Sequence, residues 1–249
     1  MKKLTNKTAV VTGGNSGIGF AISRAFIEEG ADVVVVGRRG DAVKAAVEAL
    51  GSKAIELVGD VADLSTHERV AELVRQRFGV ADIYVANAGV NRIQASRDVT
   101  PDDFDRQFLT NARGTFFGVQ KIVPLLRDDG SILLTSSIAT QKVLPDHAVY
   151  AGAKAAVEAF ARSWALELKA RRIRVNVLSP GPTRTPIIEK LGVAPGNVPE
   201  FEHQTARMIP LGRLGEADDL ARAAVFLAAS DSSFITGINL AVDGGITLS

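Results

Sequence analysis

Cysteine is absent from this chain of 249 residues, which excludes disulfides, a thiol nucleophile and thiolate metal sites. The three histidines, His67, His147 and His203, share no ligand spacing, so no catalytic metal is expected. No apolar run approaches the ~20 residues that a membrane-spanning helix needs. Behind Met1-Lys2-Lys3-Leu4, the segment Ala9-Val10-Val11 is too short for the apolar core of a signal peptide. An excess of one charge is missing too. The 29 basic and 28 acidic residues are interspersed and sum to +1, which argues against nucleic acid or an anionic membrane as the main partner. No Pro/Ser-rich linker or charge block divides the chain, so residues 1–249 read as one domain. A chain of this length buries roughly three quarters of its unfolded surface. The lack of cysteine is compatible with a cytoplasmic location.

What is present is an alternation of short apolar runs with longer segments of helical period. The runs are Thr8–Val11, Asp32–Val36, Ala54–Val58, Ile83–Ala86, Ser131–Thr135, Arg174–Leu178 and Asn239–Val242. Val33-Val34-Val35-Val36 is apolar on both faces, as expected for a parallel strand covered by helices. Helices are expected over Ile18–Glu29, Ala42–Leu50, His67–Phe78, Asp102–Leu126, Tyr150–Ala170 and Asp218–Ala229. This pattern predicts an α/β fold, a doubly wound parallel sheet with right-handed crossovers. From Pro180 to about Gly215 no periodicity is visible. A substrate-loop insertion over about 182–215 is the expectation, with a plain surface loop as the alternative.

The first run leads directly into Thr12-Gly13-Gly14-Asn15-Ser16-Gly17-Ile18-Gly19, and a helix follows. Residues without a Cβ let the backbone approach a pyrophosphate, and a helix N-terminus offers free N–H groups and a positive dipole end. The spacing is Gly-x-x-x-Gly-x-Gly, in the strand–turn–helix context a dinucleotide cradle requires. At the end of the second strand an acidic residue would bind the adenosine ribose and repel a 2′-phosphate. Here stand Gly37-Arg38-Arg39, whose two guanidiniums suit a phosphate, so NADP(H) is favoured, with NAD(H) the alternative if one Arg only stacks and the other is solvated. Asp60, followed by Val61, can accept a hydrogen bond from the adenine amino group; otherwise it, or equally Asp63, caps the next helix. Asn87-Ala88-Gly89 are small enough for backbone to lie against a ribose.

Tyr150 and Lys154 are four residues apart, which puts them on one helix face a turn apart. An ammonium beside a phenol stabilises the phenolate and draws its pKa of about 10 toward neutrality. Such a Tyr exchanges protons with an alcohol or carbonyl oxygen. Ser137 stands thirteen residues earlier.

These motifs in this order resemble the short-chain dehydrogenase/reductase family over essentially the whole chain. The resemblance rests on Thr12–Gly19, Asn87-Ala88-Gly89, Asn111, Ser137, Tyr150 with Lys154, Pro180-Gly181, Ile235-Thr236-Gly237 and Val242-Asp243-Gly244-Gly245. It implies a single Rossmann-like domain with a seven-stranded parallel sheet, commonly a homotetramer. It makes Tyr150 the acid/base, Ser137 the holder of the substrate oxygen, and Lys154 the partner of the nicotinamide ribose. Asn111 would position a water beside Lys154. Gly13, Ser16, Ile18, Asp60, Asn87, Thr183 and Thr185 match the family's cofactor contacts. Ala86 departs from a frequent second Asn, which in the family steadies the strand.

The implied reaction interconverts a small-molecule ketone and a secondary alcohol, with Tyr150 and Ser137 donating to the oxygen on which negative charge grows. Ile138, Ala139, Val143, Leu144, Ile187, Ile188 and Leu191 are candidates for an apolar substrate pocket, or equally for packing the insertion onto the body. Asn91, Arg92 and His147 are the polar candidates nearby. Other substrates are a carrier-bound 3-oxoacyl thioester, with Arg171 and Arg172 docking the acidic carrier or simply complementing a helix end, and a sugar or polyol. A non-enzymatic cofactor sensor would not need Ser137, Tyr150 and Lys154 together. For assembly, Ala221–Ala229 and Ile246-Thr247-Leu248 are expected either to bury against a second copy or to pack internally.

Overall fold

The computed structural model describes residues 2–185 and 195–249. Seven parallel strands form the sheet: β1 (Thr8–Thr12), β2 (Asp32–Gly37), β3 (Ala54–Val58), β4 (Ala81–Ala86), β5 (Leu126–Thr135), β6 (Arg174–Pro180) and β9 (Asn239–Val242). Their spatial order is β3-β2-β1-β4-β5-β6-β9. The central stretches of these strands are largely apolar because both faces are covered. Val33 and Val35 of β2 enter one core cluster, and Val34 and Val36 enter the other. The first cluster is closed by α1 (Gly17–Glu28), α2 (Gly40–Leu50) and α8 (Ala217–Ala228). The second is closed by α3 (Leu64–Phe78), α5 (Gly114–Ile122) and α6 (Ala148–Glu167).

Winding reverses between β1 and β4, the switch point where α/β sheets bind ligands beyond the carboxyl ends of their strands. Thr12 staples this point. Its Oγ1 accepts from Asn87 N at 3.0 Å and Ala88 N at 3.1 Å, while Asn87 Nδ2 donates to Thr12 O at 3.1 Å. Thr135 Oγ1 donates to Asn87 Oδ1 at 3.4 Å, so the ends of β1, β4 and β5 are tied together without help from residue 86, where Ala86 is buried.

One expectation is corrected. Asp102–Leu126 is not one helix: α4 (Pro101–Phe108) and α5 are joined by a π-turn over Leu109–Arg113, and a 3-10 turn follows at Val123–Leu125. The segment expected as a substrate-loop insertion carries regular structure among its described residues. It holds α7 (Val198–Met208), with Pro199 at its start, and the short ladder β7 (Thr183–Arg184) with β8 (Gly215–Glu216). Ile209, Leu214, Ile138 and Ile246 form a third apolar cluster beneath it. Asp63, not Asp60, caps α3, accepting from Ser65 N at 3.0 Å.

Candidate active site

Beyond β1 the chain turns through Gly13 at φ +65° and Gly17 at φ +53° before α1. A Cβ on residue 19 would collide with the Gly13 carbonyl oxygen, so strand end and helix meet only because Gly19 has none. Ser16 is the N-cap of α1 yet makes no side-chain cap bond, and no acidic residue stands in the first turn. The free N–H groups there and the Ser16 hydroxyl therefore face outward, and the cradle fits a pyrophosphate. Ile18 packs partly buried against the first core cluster.

A cleft of about 350 Å³ opens from this turn. It is lined in turn by Gly13, Asn15 and Ser16, by Arg38 and Arg39, by Asp60 and Val61, and by Ala88 and Gly89. Sequence reasoning missed Val36, Gly59, Val90 and Thr110 on the same wall; each adjoins a residue that was singled out. Arg38 Nη1 stands 3.6 Å from Asp60 Oδ2, with both side chains about half exposed. Asp60 Oδ1 also accepts from Ala62 N at 2.9 Å, so it shapes the turn into α3.

Ser137 leaves the end of β5 and caps the 3-10 turn Ile138–Thr140; its Oγ accepts from Ala139 N at 3.2 Å. Tyr150 and Lys154 lie on α6, as their spacing required. Lys154 is buried, and its Nζ donates to Thr135 O at 2.7 Å. Burial pushes this ammonium down to about 8. The expected lowering of Tyr150 is corrected. Lys154 Nζ is 6.0 Å from the Tyr150 ring centroid, and desolvation of the hydroxyl end raises the phenol above its ordinary value, opposed by a hydrogen bond from Ser137. Asn111 sits in the π-turn, where its side chain clamps Val90: Nδ2 donates to Val90 O and Oδ1 accepts from Val90 N, both at 2.8 Å. Asn111 Oδ1 and Lys154 Nζ flank Gly89, at 3.1 and 3.3 Å from where a Cβ would stand.

Pro180 ends β6, and Gly181 N donates to Val242 O at 3.0 Å. Thr183 is buried with its Oγ1 donating to Gly181 O at 2.9 Å, and Thr185 Oγ1 donates to Thr183 O at 3.5 Å. These four do not line the cleft above. Of the substrate candidates, Ile138 packs in the third cluster, the alternative role that the sequence left open. Ala139 is buried, Leu144 is partly buried and Val143 is 94% exposed. Ile187, Ile188 and Leu191 lie outside the described residues. The Arg92 side chain, half exposed, is paired with Asp103, and its backbone N–H donates to Gln107 Oε1 at 3.3 Å. Asn91 Oδ1 is buried without a partner among the described residues. His147 has Nδ1 2.7 Å from Pro145 O and its ring edge-on to Tyr150. Arg171 and Arg172 pair with Asp128 at 2.8 Å and Asp129 at 2.7 Å.

A family model described as enoyl-(acyl carrier protein) reductase matches residues 13–247. The chain is 40% identical over 248 residues to oxidoreductase asL5 of Sarocladium schorii, covering 99% of this chain and 98% of that protein. It is 37% identical over 256 residues to versicolorin reductase stcU of Emericella nidulans, covering 98% and 96%. A solved short-chain dehydrogenase/reductase from Brucella melitensis, described as glucose/ribitol dehydrogenase, superposes with a TM-score of 0.92 at 30% identity over 99% of each chain. Likeness that runs the length of the chain in sequence and in fold leaves one assignment: the chain belongs to the short-chain dehydrogenase/reductase family, NAD(P)-dependent oxidoreductases acting on CH–OH groups.

Proposed function

We propose that this protein is an NADP(H)-dependent carbonyl reductase, interconverting a small-molecule ketone and a secondary alcohol with Tyr150 as acid/base. One arrangement carries the reading: Ser137 closes β5, Tyr150 stands on α6 near enough for the Ser137 hydroxyl to act on its phenol, and buried Lys154 follows one turn on. When bound, the dinucleotide supplies or accepts the hydride. The Ser137 oxygen accepts from Ala139 N, so its hydrogen remains to meet a carbonyl oxygen. Tyr150, raised by burial, stays protonated at neutral pH and is a proton donor to that same oxygen. Reduction is the direction this favours. Lys154, Asn111 and Gly89 form the floor on which the nicotinamide ribose would rest.

Support for NADP(H) comes from the end of β2. Gly37 at the strand end carries no acidic side chain to reject a 2′-phosphate, and a Cβ there would push against the Asn15 side chain. Arg38 and Arg39 line the same cleft, and the exposed Arg38–Asp60 pair is weak enough to be exchanged for a phosphate. We take the protein to be a cytoplasmic homotetramer with no nucleic-acid or membrane partner; no helix among the described residues is long and apolar enough to cross a membrane.

The test is a panel of ketones and secondary alcohols, with versicolorin-type compounds included, assayed in parallel with NADPH and NADH. NADPH is expected to lead by at least about tenfold, the scale of one lost charge-assisted contact; an NADH preference would reverse the reading of Arg38 and Arg39. Tyr150→Phe is expected to keep NADPH affinity and lower turnover by about 10²- to 10⁴-fold. Near-normal turnover in that variant removes the acid/base role.

A further inference from the structure

One turn beyond Lys154 on α6 stands Glu158, so Tyr150, Lys154 and Glu158 follow at four-residue intervals on one helix face. Glu158 Oε1 accepts from Ser136 Oγ at 2.7 Å and from Thr140 Oγ1 at 2.6 Å. Those two hydroxyls bracket Ser137: one belongs to the residue before it, the other closes the 3-10 turn after it. Thr140 Oγ1 is also 2.8 Å from Ser137 O, so its single proton lies between the carboxylate and the Ser137 backbone. Ser136 is fixed from the other side, where its N–H donates to Leu178 O at 2.9 Å.

A half-buried carboxylate in this place is chemically specific. An apolar residue would link α6 to β5 without any desolvation cost. What a carboxylate adds is one rigid acceptor for two donors, which locks the backbone on both sides of Ser137. That lock has a consequence at Ser137 itself, whose Oγ accepts from Ala139 N at 3.2 Å only while the turn holds its shape. Released from the brace, the turn is free to rotate, and the Ser137 hydroxyl can point its hydrogen elsewhere.

We propose that Glu158 is a positioning residue, a carboxylate brace that aims the Ser137 hydroxyl at the oxygen shared with Tyr150, while itself touching no reacting atom. The inference rests on the roles of Ser137 and Tyr150 given above, and it adds a third residue of α6 to the unit.

Two readouts test it. The chain has two tyrosines, and Tyr84 is buried in the core, so ¹³Cζ-tyrosine NMR gives one reference signal and one reporter at Tyr150. Glu158→Ala is expected to move the Tyr150 signal to where Ser137→Ala moves it, the double variant to move it no further, and Glu158→Gln to keep it near the wild-type position. A Tyr150 signal unmoved in Glu158→Ala overturns the proposal. In turnover, Glu158→Ala is expected to lower kcat by about 10- to 100-fold with KM and NADPH affinity little changed, Gln restoring most of it. Full additivity with Ser137→Ala in kcat, or a loss of stability with kcat intact, also overturns it. Should Glu158→Ala fail to fold, Thr140→Val removes one arm of the brace and is expected to give a partial shift in the same direction, whereas no shift counts against the brace. The NMR result needs no substrate. A protein that reduced no ketone would refute the proposed function and leave the bracing role of Glu158 standing.

Discussion

Lys154 shows at a single residue how this site sets chemistry against stability. Burial holds its ammonium down to about 8, whereas an unfolded chain leaves it near 10.5. Below pH 8 the group is charged in both states, and the cost of burying the charge is carried in full. Between pH 8 and 10.5 the native state gives up its proton first, so the unfolded state binds more protons and stability rises with pH through that window. The displacement corresponds to roughly 3 kcal/mol. The difference in unfolding free energy between wild type and Lys154→Met is expected to climb by that order from about pH 7.5 to 10.5, measured by urea denaturation at several pH values. A difference flat in pH would mean that Lys154 titrates normally. Tyr84, also raised by burial, is common to both proteins and cancels.

Among the elements, the end of α8 illustrates a charge working across the fold. Its last turn has no basic residue of its own. Arg174, the first residue of β6, reaches in: Nη1 donates to Leu227 O and Ser232 Oγ at 2.7 Å, and Nη2 to Ala228 O at 3.3 Å and Ala229 O at 3.2 Å. The fork thus satisfies helix carbonyls that have no partner within α8 and sits at the negative end of its dipole. Arg174→Met takes the fork away from Ala228 O and the charge from the helix end, while Leu227 O and Ala229 O keep Ser131 and Ser232 as donors, and we expect it to lower the unfolding free energy by about 1–3 kcal/mol. Arg174→Lys should recover only part, because one ammonium cannot span the fork; equal midpoints for wild type and Met in urea would dismiss this account.

Elements of this kind also mark what the sequence could convey. Strands announced themselves because period and composition agreed: each of the seven apolar runs became a strand within a few residues, β5 starting earliest at Leu126. The π-turn did not, since Leu109–Arg113 has an ordinary helical composition and only the clamp of Asn111 on Val90 distinguishes it. Helix α7 was hidden because its apolar residues Val198, Phe201, Ala206 and Met208 make no continuous stripe and its one buried residue is Thr205. At the site, residue types at fixed spacing placed the cradle, Ser137, Tyr150 and Lys154. The direction of the Tyr150 shift was not legible, because burial outweighs a cation that points at Thr135. Glu158 carried no motif; its i+4 step from Lys154 was the signal that could have found it.

For the whole molecule, the proposed tetramer can be argued from what the monomer leaves uncovered. Most of the segment Ala221–Ala229 is used internally, since Ala221, Ala224, Val225 and Leu227 are buried in the first core cluster, and Ile246 is buried in the third. Among the exposed apolar residues, which also include Val143, Leu166, Leu211 and Leu248, two groups sit where a second copy could meet them. One surrounds β9, the edge strand of the sheet, with Phe226, fully exposed Phe234 and Ile238 close to it in sequence or fold. An open sheet edge flanked by aromatics invites pairing unless something covers it. The other lies on the opposite helical layer, where Phe104 and Leu109 are exposed beside Phe108. Two separate patches, each able to meet its own copy about a two-fold axis, generate a closed dihedral tetramer, whereas one patch generates only a dimer. By light scattering coupled to gel filtration we therefore expect four times the 26.3 kDa chain mass for the wild type. Phe234→Asp should halve that mass, Leu109→Asp should halve it as well, and the double variant should run as a folded monomer. A tetramer untouched by both charges would place the contacts elsewhere on the molecule.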